Sequence, residues 1–594
     1  MIFAAGAAAL FSVAFGATGL ISTQNDRSGE ALAQLDPIRI AGSVCGGRMG
    51  DPRARQAWLA TARMAAAAAT PAIAPPVRLL DGLGDPRFRI TTRNPDAQRF
   101  FNQGLMLAYG FNHDEAIRSF REAQRLDPEC AMCWWGESYA LGPNINLPMD
   151  AGANPRAYGS ARRALALKEG AGPEERALID AIQQRYAASA PSDRAPLDRA
   201  FASAMANAAR RFPASDTIAL VAAEAEMDTR PWDYFESDRR TPKGGIGGAV
   251  ALVERVLARS PDHAQAAHLY IHLMENTAFP EKAEAAADRL ARPLAPAAGH
   301  LVHMPGHLYY RLGRFRDSIR VNVDAARADE DYFRSSGDKG FYRYLYYPHN
   351  VHFIMTSAQM AGDPVTAIRE AKRLRSVMSN DVTAATPPLE PIDAAPYLAY
   401  AQFAAPRTIL GLKAPDRRLA YVTGMWRYAR ATAFARLRDD RGFNREIAAL
   451  ARIRTGHNFK PMTDMMVPAP DLLIIAEHVA RARREYAQGR YAAAADLYRK
   501  AAAIEDRINY MEPPYWYYPV RQSLGAALYR AGDLTGARQA FLHALSQYPN
   551  NGWALYGLAE THRALGDGLS ETAARAAFRR AWLGNPGWIG MDRV

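Results

Sequence analysis

The chain has 594 residues, a formal net charge of +12 and an ordinary globular composition, 49% hydrophobic and 23% charged. That length exceeds what one core usually holds, so several domains or a repeat array are expected. The positive excess is mostly Arg and is spread along the chain, with no Lys/Arg block and no zinc-finger, bZIP or RRM pattern, which argues against a nucleic-acid partner.

The first 22 residues, MIFAAGAAALFSVAFGATGLIS, carry no charge. Segment 1–33 reads as a signal peptide or an N-terminal apolar segment, with Ala31-Leu32-Ala33 as the cleavage signal. The expected location is periplasmic or secreted, and otherwise cytoplasmic. Membrane attachment is expected only if the segment stays uncleaved. Residues 34–95 are rich in Ala, Pro and Gly and read as an irregular linker. Of the three cysteines, Cys45 stands alone. Cys130 and Cys133 form a C-x-x-C pair, read either as a disulfide or as two buried thiols. Trp134 follows them, which excludes the c-type haem attachment pattern.

From residue 96 the sequence is a succession of amphipathic helical segments. In RFFNQGLMLAYGFNHDEAIRSFREAQRLDP, Gly104, Ala116, Phe120, Ala123 and Pro128 fall where small residues let two helices approach, an aromatic fills the gap and Pro ends the second helix. Gly306, Tyr309, Gly313, Phe315, Ser318 and Ala325 repeat the spacing. Near the C-terminus Gly525, Gly532, Ala537, Phe541, Ala544 and Pro549 fit it in full. Gly557, Ala574, Phe578, Ala581 and Pro586 fit an expanded form, and Gly489, Tyr491, Ala494, Tyr498 and Ala501 fit half. The period is that of the tetratricopeptide repeat (TPR). The expected fold is all-α, a right-handed α-solenoid or superhelix of TPR-like helix pairs with a concave groove. It divides into N-terminal pairs (96–260), a His-rich region (261–356), further pairs (357–480) and C-terminal repeats (481–594).

Eight of the 13 histidines lie between positions 263 and 352, where uniform scatter would place about two. His268, His272 and Glu275 are at i, i+4 and i+7; His300, His303 and His307 are at i, i+3 and i+7. On a helix each set occupies one face. His349 and His352 are at i, i+3, just after Pro348, which favours a helix start there. His263, in the turn SPDHAQ, is expected to be exposed. Imidazole suits copper, zinc, iron and nickel. The candidate metal ligands are therefore His268, His272, Glu275, His300, His303, His307, His349 and His352, with His300 and Glu275 as additional or outer ligands. Copper ranks above zinc, and iron or manganese would want more carboxylate than Glu275 offers. An anion or carboxylate held by His and Arg, and a polar structural core, are the competing readings. H-E-x-x-H, G-x-S-x-G, P-loop and G-x-G-x-x-G patterns are absent.

Aromatic residues crowd around these positions. FYRYLYYPHNVHF sets Tyr347 two residues before His349, and INYMEPPYWYYPVRQ joins Glu512 to a tyrosine cluster. Inter-repeat packing is the ordinary reading; a tyrosine-lined pocket for an aromatic or redox-active substrate is the functional one. Tyr347 and Glu512 are the candidate catalytic residues, Glu512 as an outer-sphere partner or general base. The loops TRPWDYF and LGPNINLPM, with Asn144 and Asn146, are candidates to line the groove.

From about Gln98 to Trp588 the chain resembles large bacterial TPR proteins of undefined function, through FNQGLMLAYGFNHDEAIRSF, CAMCWWGESYALGPNIN, HLVHMPGHLYYRLGRF, YYPHNVHF and EPPYWYYPVRQSLGAALY. The resemblance implies the solenoid and carries no established reaction. The function expected from the residues is a metal-dependent enzyme, an oxidoreductase, acting on a small molecule or peptide in the concave groove. The alternatives are an interaction scaffold for a protein partner and an envelope metal carrier.

Overall fold

The small–aromatic–small spacing acts as an interlock between three successive helices. Pro95–Tyr109, His113–Leu126 and Ala131–Ala140 follow one another in the structure, a computed structural model that describes residues 76–337 and 340–594. Segment 1–33, Cys45 and the first part of the expected linker lie outside the described residues. Asn94 caps the first helix by accepting from the backbone N–H groups of Asp96 and Ala97, and Pro95 occupies the first turn, where no N–H is needed. Phe120 on the second helix is fully buried. It lies sixteen residues after Gly104 and sixteen before Gly136, and a Cβ at either glycine would run into its ring. Gly525, Phe541 and Gly557 repeat the interlock at the same spacing.

The chain is an all-α superhelix built from such pairs, each helix packing chiefly on the next. Among the described residues the only exception to helical regular structure is an isolated bridge between Phe235 and Pro242. No described helix is long and apolar enough to cross a membrane. Residues 76–94 lack regular structure yet are strapped to the solenoid. Leu83, Phe88 and Ile90 are buried. The N–H groups of Leu80 and Ile90 donate to Gln103 and Gln98, at 2.7 and 2.9 Å, and Ala297 N–H donates to the Gly82 carbonyl at 3.0 Å. Cys130 and Cys133 are joined in a buried disulfide at the start of Ala131–Ala140.

Two prolines sit where the sequence argues against them. Pro348 lies inside Phe341–Met360 instead of preceding a helix start, and Pro305 lies inside Gly299–Arg311. An interior proline costs about 3 kcal/mol through the lost i→i−4 bond. Burial of Tyr342, Tyr346 and Tyr347 offsets that cost and carries the helix past Pro348.

The superhelix turns until its C-terminal pairs reach its middle. Trp553 Nε1–H donates to the Gln359 carbonyl and Leu583 N–H to the Ala361 carbonyl, both at 2.8 Å, and Arg311 donates to the Gln547 carbonyl at 3.0 Å. This closure brings loops from distant repeats over the groove. Because Phe541 locks two helices of that closing segment, Phe541→Ala is expected to cost about 3–5 kcal/mol. The check is the denaturant midpoint, which should fall with the helical signal of the native state retained.

Candidate metal centre

Three helices bring the histidines together. Ala264–Met274 carries His268 and His272, with Glu275 at its C-cap. Gly299–Arg311 carries His300, His303 and His307, and Phe341–Met360 carries His349 and His352. The i, i+4 pairs put two rings on one helical turn. Ring centroids are 4.8 Å apart for His268 and His272 and 4.6 Å apart for His303 and His307. The neighbouring helix completes each pair. His268, His272 and His300 form one triad and His303, His307 and His349 a second, with ligand atoms within 4.8 Å of one another in each. Gly299–Arg311 serves both, so the triads adjoin: His300 is 5.7 Å from His303, and His272 is 5.8 Å from His307.

Nδ1 atoms are held from outside. Glu275, fully buried, accepts from His272 Nδ1 through one oxygen and from His307 Nδ1 through the other, both at 2.8 Å. Asn322 Oδ1 takes His303 Nδ1 at 2.5 Å, and its amide is fixed by donating to the Ser318 carbonyl at 2.8 Å. Gln265 Oε1 takes His268 Nδ1 at 2.9 Å and passes a 3.3 Å bond to Glu224, which Tyr139 also reaches. Oxygens that only accept require Nδ1 to carry the proton, so Nε2 is left with its lone pair.

Those lone pairs point at one another. Nε2 of His268, His272 and His303 and both nitrogens of His300 are buried without a protein partner. Leaving each such atom unpaired costs about 1–3 kcal/mol. His307 Nε2 and His349 Nε2 are 3.3 Å apart. Three nitrogens each about 2.0 Å from one ion lie about 3.3–3.5 Å from each other, and the wider pairs close to that with ring shifts under about 1 Å. The donor set therefore fits a tricoordinated ion at each triad.

The electrostatics agree. Burial, followed by the neighbouring imidazoles, holds His268, His300, His303 and His349 well below the usual histidine range. Burial also lowers His272, against the pull of Glu275. These rings are neutral at neutral pH, the form that coordinates metal. Burial would raise Glu275, but its contacts with His307 and His272, including the hydrogen bonds from both Nδ1 atoms, bring it to about 2. It is thus an ionised acceptor.

Each triad has a phenylalanine against it. Phe353 stands 4.8–5.0 Å from the rings of His303, His307 and His349. Phe111 lies 4.9 Å from both His268 and His300. It sits at φ +55°, a left-handed conformation that costs a non-glycine residue about 1–2 kcal/mol. Trp232 meets the His272 ring edge-on at 5.1 Å and donates to Asn146 at 3.2 Å.

A cavity of about 350 Å3 opens onto both triads, reaching His272 and His300 of one and His307 and His349 of the other. Its walls are mainly aromatic and apolar, and include Trp232, Tyr346, Met465, Tyr510 and Tyr515. Glu512 lines it and is buried, with Oε2 unpartnered. Burial, then the charge of Glu275, pushes Glu512 up to about 8.

Several expectations are corrected by this geometry. His352 joins neither triad: 60° around the helix from His349, its ring lies 5.6 Å from Tyr517 and both nitrogens lack a partner. The i+4 position, Phe353, faces the triad instead. Glu275 holds ligands from behind and supplies no oxygen to either triad. Tyr347 is directed away from the cavity, donating to Glu330 at 2.7 Å beside Arg373, because one residue along a helix turns about 100°. Tyr346 is the tyrosine at the site, 5.0 Å from His300. His263 is buried, with Asp216 and Arg87 nearby. Asn146 lines the cavity, whereas Asn144 is buried beside it and pins its N–H at 2.8 Å. Sequence reasoning missed Gln265, Asn322 and Phe111 as partners, and reached Trp232 only through the loop TRPWDYF. Of the three missed, only Asn322 carried a signal, since it stands sixteen residues after Gly306, where the other interlocks place phenylalanine.

His352 yields a pH dependence. Burial lowers it from 6.5 to about 3. Below pH 6.5 the unfolded chain takes up this proton and the folded chain does not, so stability falls as pH falls, by about 1.4 kcal/mol per unit down to the folded value. The stability of metal-free His352→Phe relative to the parent chain is expected to rise with that slope from about pH 6.5 to about pH 4.5, measured by denaturant titration.

No family model matches the chain, and its sequence matches no curated protein. Among solved structures it is similar to human IFIT1, in the dimer with PPP-AAAA, at 12% identity and TM-score 0.30 over 82% of this chain and 91% of that one. The TPR domain of P58(IPK) matches at 12% identity and TM-score 0.19, over 80% and 99% of the two chains. The APC/C hetero-tetramer Cut9–Hcn1 matches at 11% and 0.21, over 83% and 96%. Scores this low leave the fold to be read from the chain's own helix pairing, which makes it an all-α superhelix of tetratricopeptide-type repeats.

Proposed function

We propose that the protein holds two transition-metal ions side by side, one on ring nitrogens of His268, His272 and His300 and one on those of His303, His307 and His349, and that this pair makes it a metal-dependent oxidoreductase acting on a small molecule. The observation that carries the reading is the convergence of buried imidazole nitrogens that have no protein partner, while the Nδ1 atoms of His268, His272, His303 and His307 are secured from behind. A polar structural core would pair those inner nitrogens with one another or with the backbone, whereas among them only His307 Nε2 and His349 Nε2 meet, at 3.3 Å.

The donor set is all imidazole, with the carboxylate of Glu275 committed to Nδ1 atoms, which favours copper over zinc and either over iron or manganese. Bound there, a copper pair supplies one-electron redox chemistry toward dioxygen and an adjacent substrate. The protein's own contribution is positional. Glu275, Asn322 and Gln265 set ring orientation and tautomer, and Phe111 and Phe353 exclude water from the back of each triad. The cavity brings a small molecule to the open side of both. The buried Cys130–Cys133 disulfide supports an oxidising compartment, hence the periplasm or the exterior.

Elemental analysis of the full chain tests the reading. Two copper ions per chain are expected, with His268→Ala and His303→Ala each retaining one. Substoichiometric metal after growth with copper or with zinc, unchanged in either variant, overturns it. Dioxygen uptake with reductant separates an enzyme from a carrier, which would bind the metal and consume none. Glu275→Gln keeps the shape but weakens the hold on one imidazole of each triad, so metal affinity should drop by about 10- to 100-fold at both sites, read by chelator competition.

A further inference from the structure

Of the lining atoms that no neighbour uses, which include His272 Nε2, both nitrogens of His300 and Asn276 Oδ1, one is a carboxyl oxygen. Arg239 spends its guanidinium on the carbonyls of Asn276 and Thr277, at 2.9 and 3.1 Å. Asp233 is ion-paired with Lys243. Glu512 is different. It comes from residues 509–515, which line the cavity, it is more than nine-tenths buried, and its Oε2 meets no partner. Tyr510 hydrogen-bonds the Glu512 carboxyl and also lies 3.3 Å from Glu275 Oε2. A hydrogen-bonded chain therefore runs from the cavity to the carboxylate that holds both triads. Aromatic rings line the same cavity: Trp232 meets His272 edge-on and Tyr346 meets His300 edge-on.

We propose that this cavity binds a phenol, an otherwise uncharged aromatic compound whose ring seats between Trp232 and Tyr346 and whose hydroxyl bonds Glu512 Oε2. Aromatic walls favour a flat ring in offset or edge-on contact. A single orphaned carboxyl oxygen selects for one hydrogen-bonding substituent, because a buried acceptor left unmatched opposes binding of an analogue lacking it. A carboxylate-bearing aromatic is disfavoured, since its charge would be buried beside the carboxyl of Glu512. The proposal names the substrate class of the oxidoreductase reading and rests on that reading for its place beside the triads. The binding itself rests on the cavity alone.

Calorimetry on the full chain, once chelator-treated and once copper-loaded, tests it with 4-ethylphenol and 4-ethylanisole as probes. The chelator-treated protein is expected to prefer 4-ethylphenol by about five- to tenfold, the contribution of one well-placed hydrogen bond. Glu512→Leu should bring that ratio to one while still binding 4-ethylanisole, which also reports that the cavity is intact. Met465→Trp, at a half-buried lining residue, should abolish binding of both probes. Equal affinities in the parent chain, a ratio unchanged by Glu512→Leu, or binding undiminished by Met465→Trp overturns the proposal. Phenol binding is read without metal and metal content without phenol, so either reading can fail while the other stands.

Discussion

One buried carboxylate organises the centre of this protein. Glu275 ends its helix with both oxygens engaged, one by His272 of its own turn and one by His307 of the next repeat. An isolated carboxylate so deep would protonate or drag in water. Here two imidazole N–H groups satisfy it, and the debt of burying the charge is settled by geometry: both rings must present Nε2 to the interior, one toward each triad. The bridge also fixes the phase of Ala264–Met274 against Gly299–Arg311, and that phase decides whether His300 completes the first triad.

The repeat architecture is altered where the site is built. Elsewhere a phenylalanine fills the gap between glycines, as Phe120 and Phe541 do. At Gly306 the equivalent position is Asn322, smaller and polar, and the lost aromatic packing becomes a network of Ser318, Asn322, Ser357 and His303. Prolines interrupt two of the three histidine helices, and Phe111 takes a left-handed conformation beneath the first triad. Each departure sacrifices local stability at one place, and all of them touch the histidines, which is the pattern expected of a functional site in an otherwise regular scaffold.

Closure of the superhelix turns an open groove into a chamber. Contacts such as Trp553 with Gln359 and Arg311 with Gln547 hold the C-terminal pairs against the middle of the array. Tyr510 and Glu512 arrive over the triads from 161 to 244 residues away in sequence, and Asn146 and Trp232 reach them from the N-terminal side. An aromatic-lined cavity of about 350 Å3 thus stands where an open solenoid would have a long groove.

Helical periodicity and interlock spacing are local, and both were legible in the residues alone. Gly104 and Phe120, or Gly525 and Phe541, mark helix pairs because close approach leaves room for no other arrangement. His268 with His272, and His303 with His307, share a helical turn whatever the rest of the chain does. The disulfide was one of two open readings. What local rules could not decide was the angle each helix presents to its neighbour. That angle assigns His300 to one triad and His303 with His307 to the other, chooses His349 over His352 and Tyr346 over Tyr347, and turns Glu275 from ligand to orienting group. Phe111 had no signal at all, and Glu512 could be singled out but not placed, since their positions over the triads exist only once segments far apart in sequence are packed together. Periodicity along one helix follows from its own backbone; the phase between helices is set by side chains drawn from the whole superhelix, and the site lies in that phase.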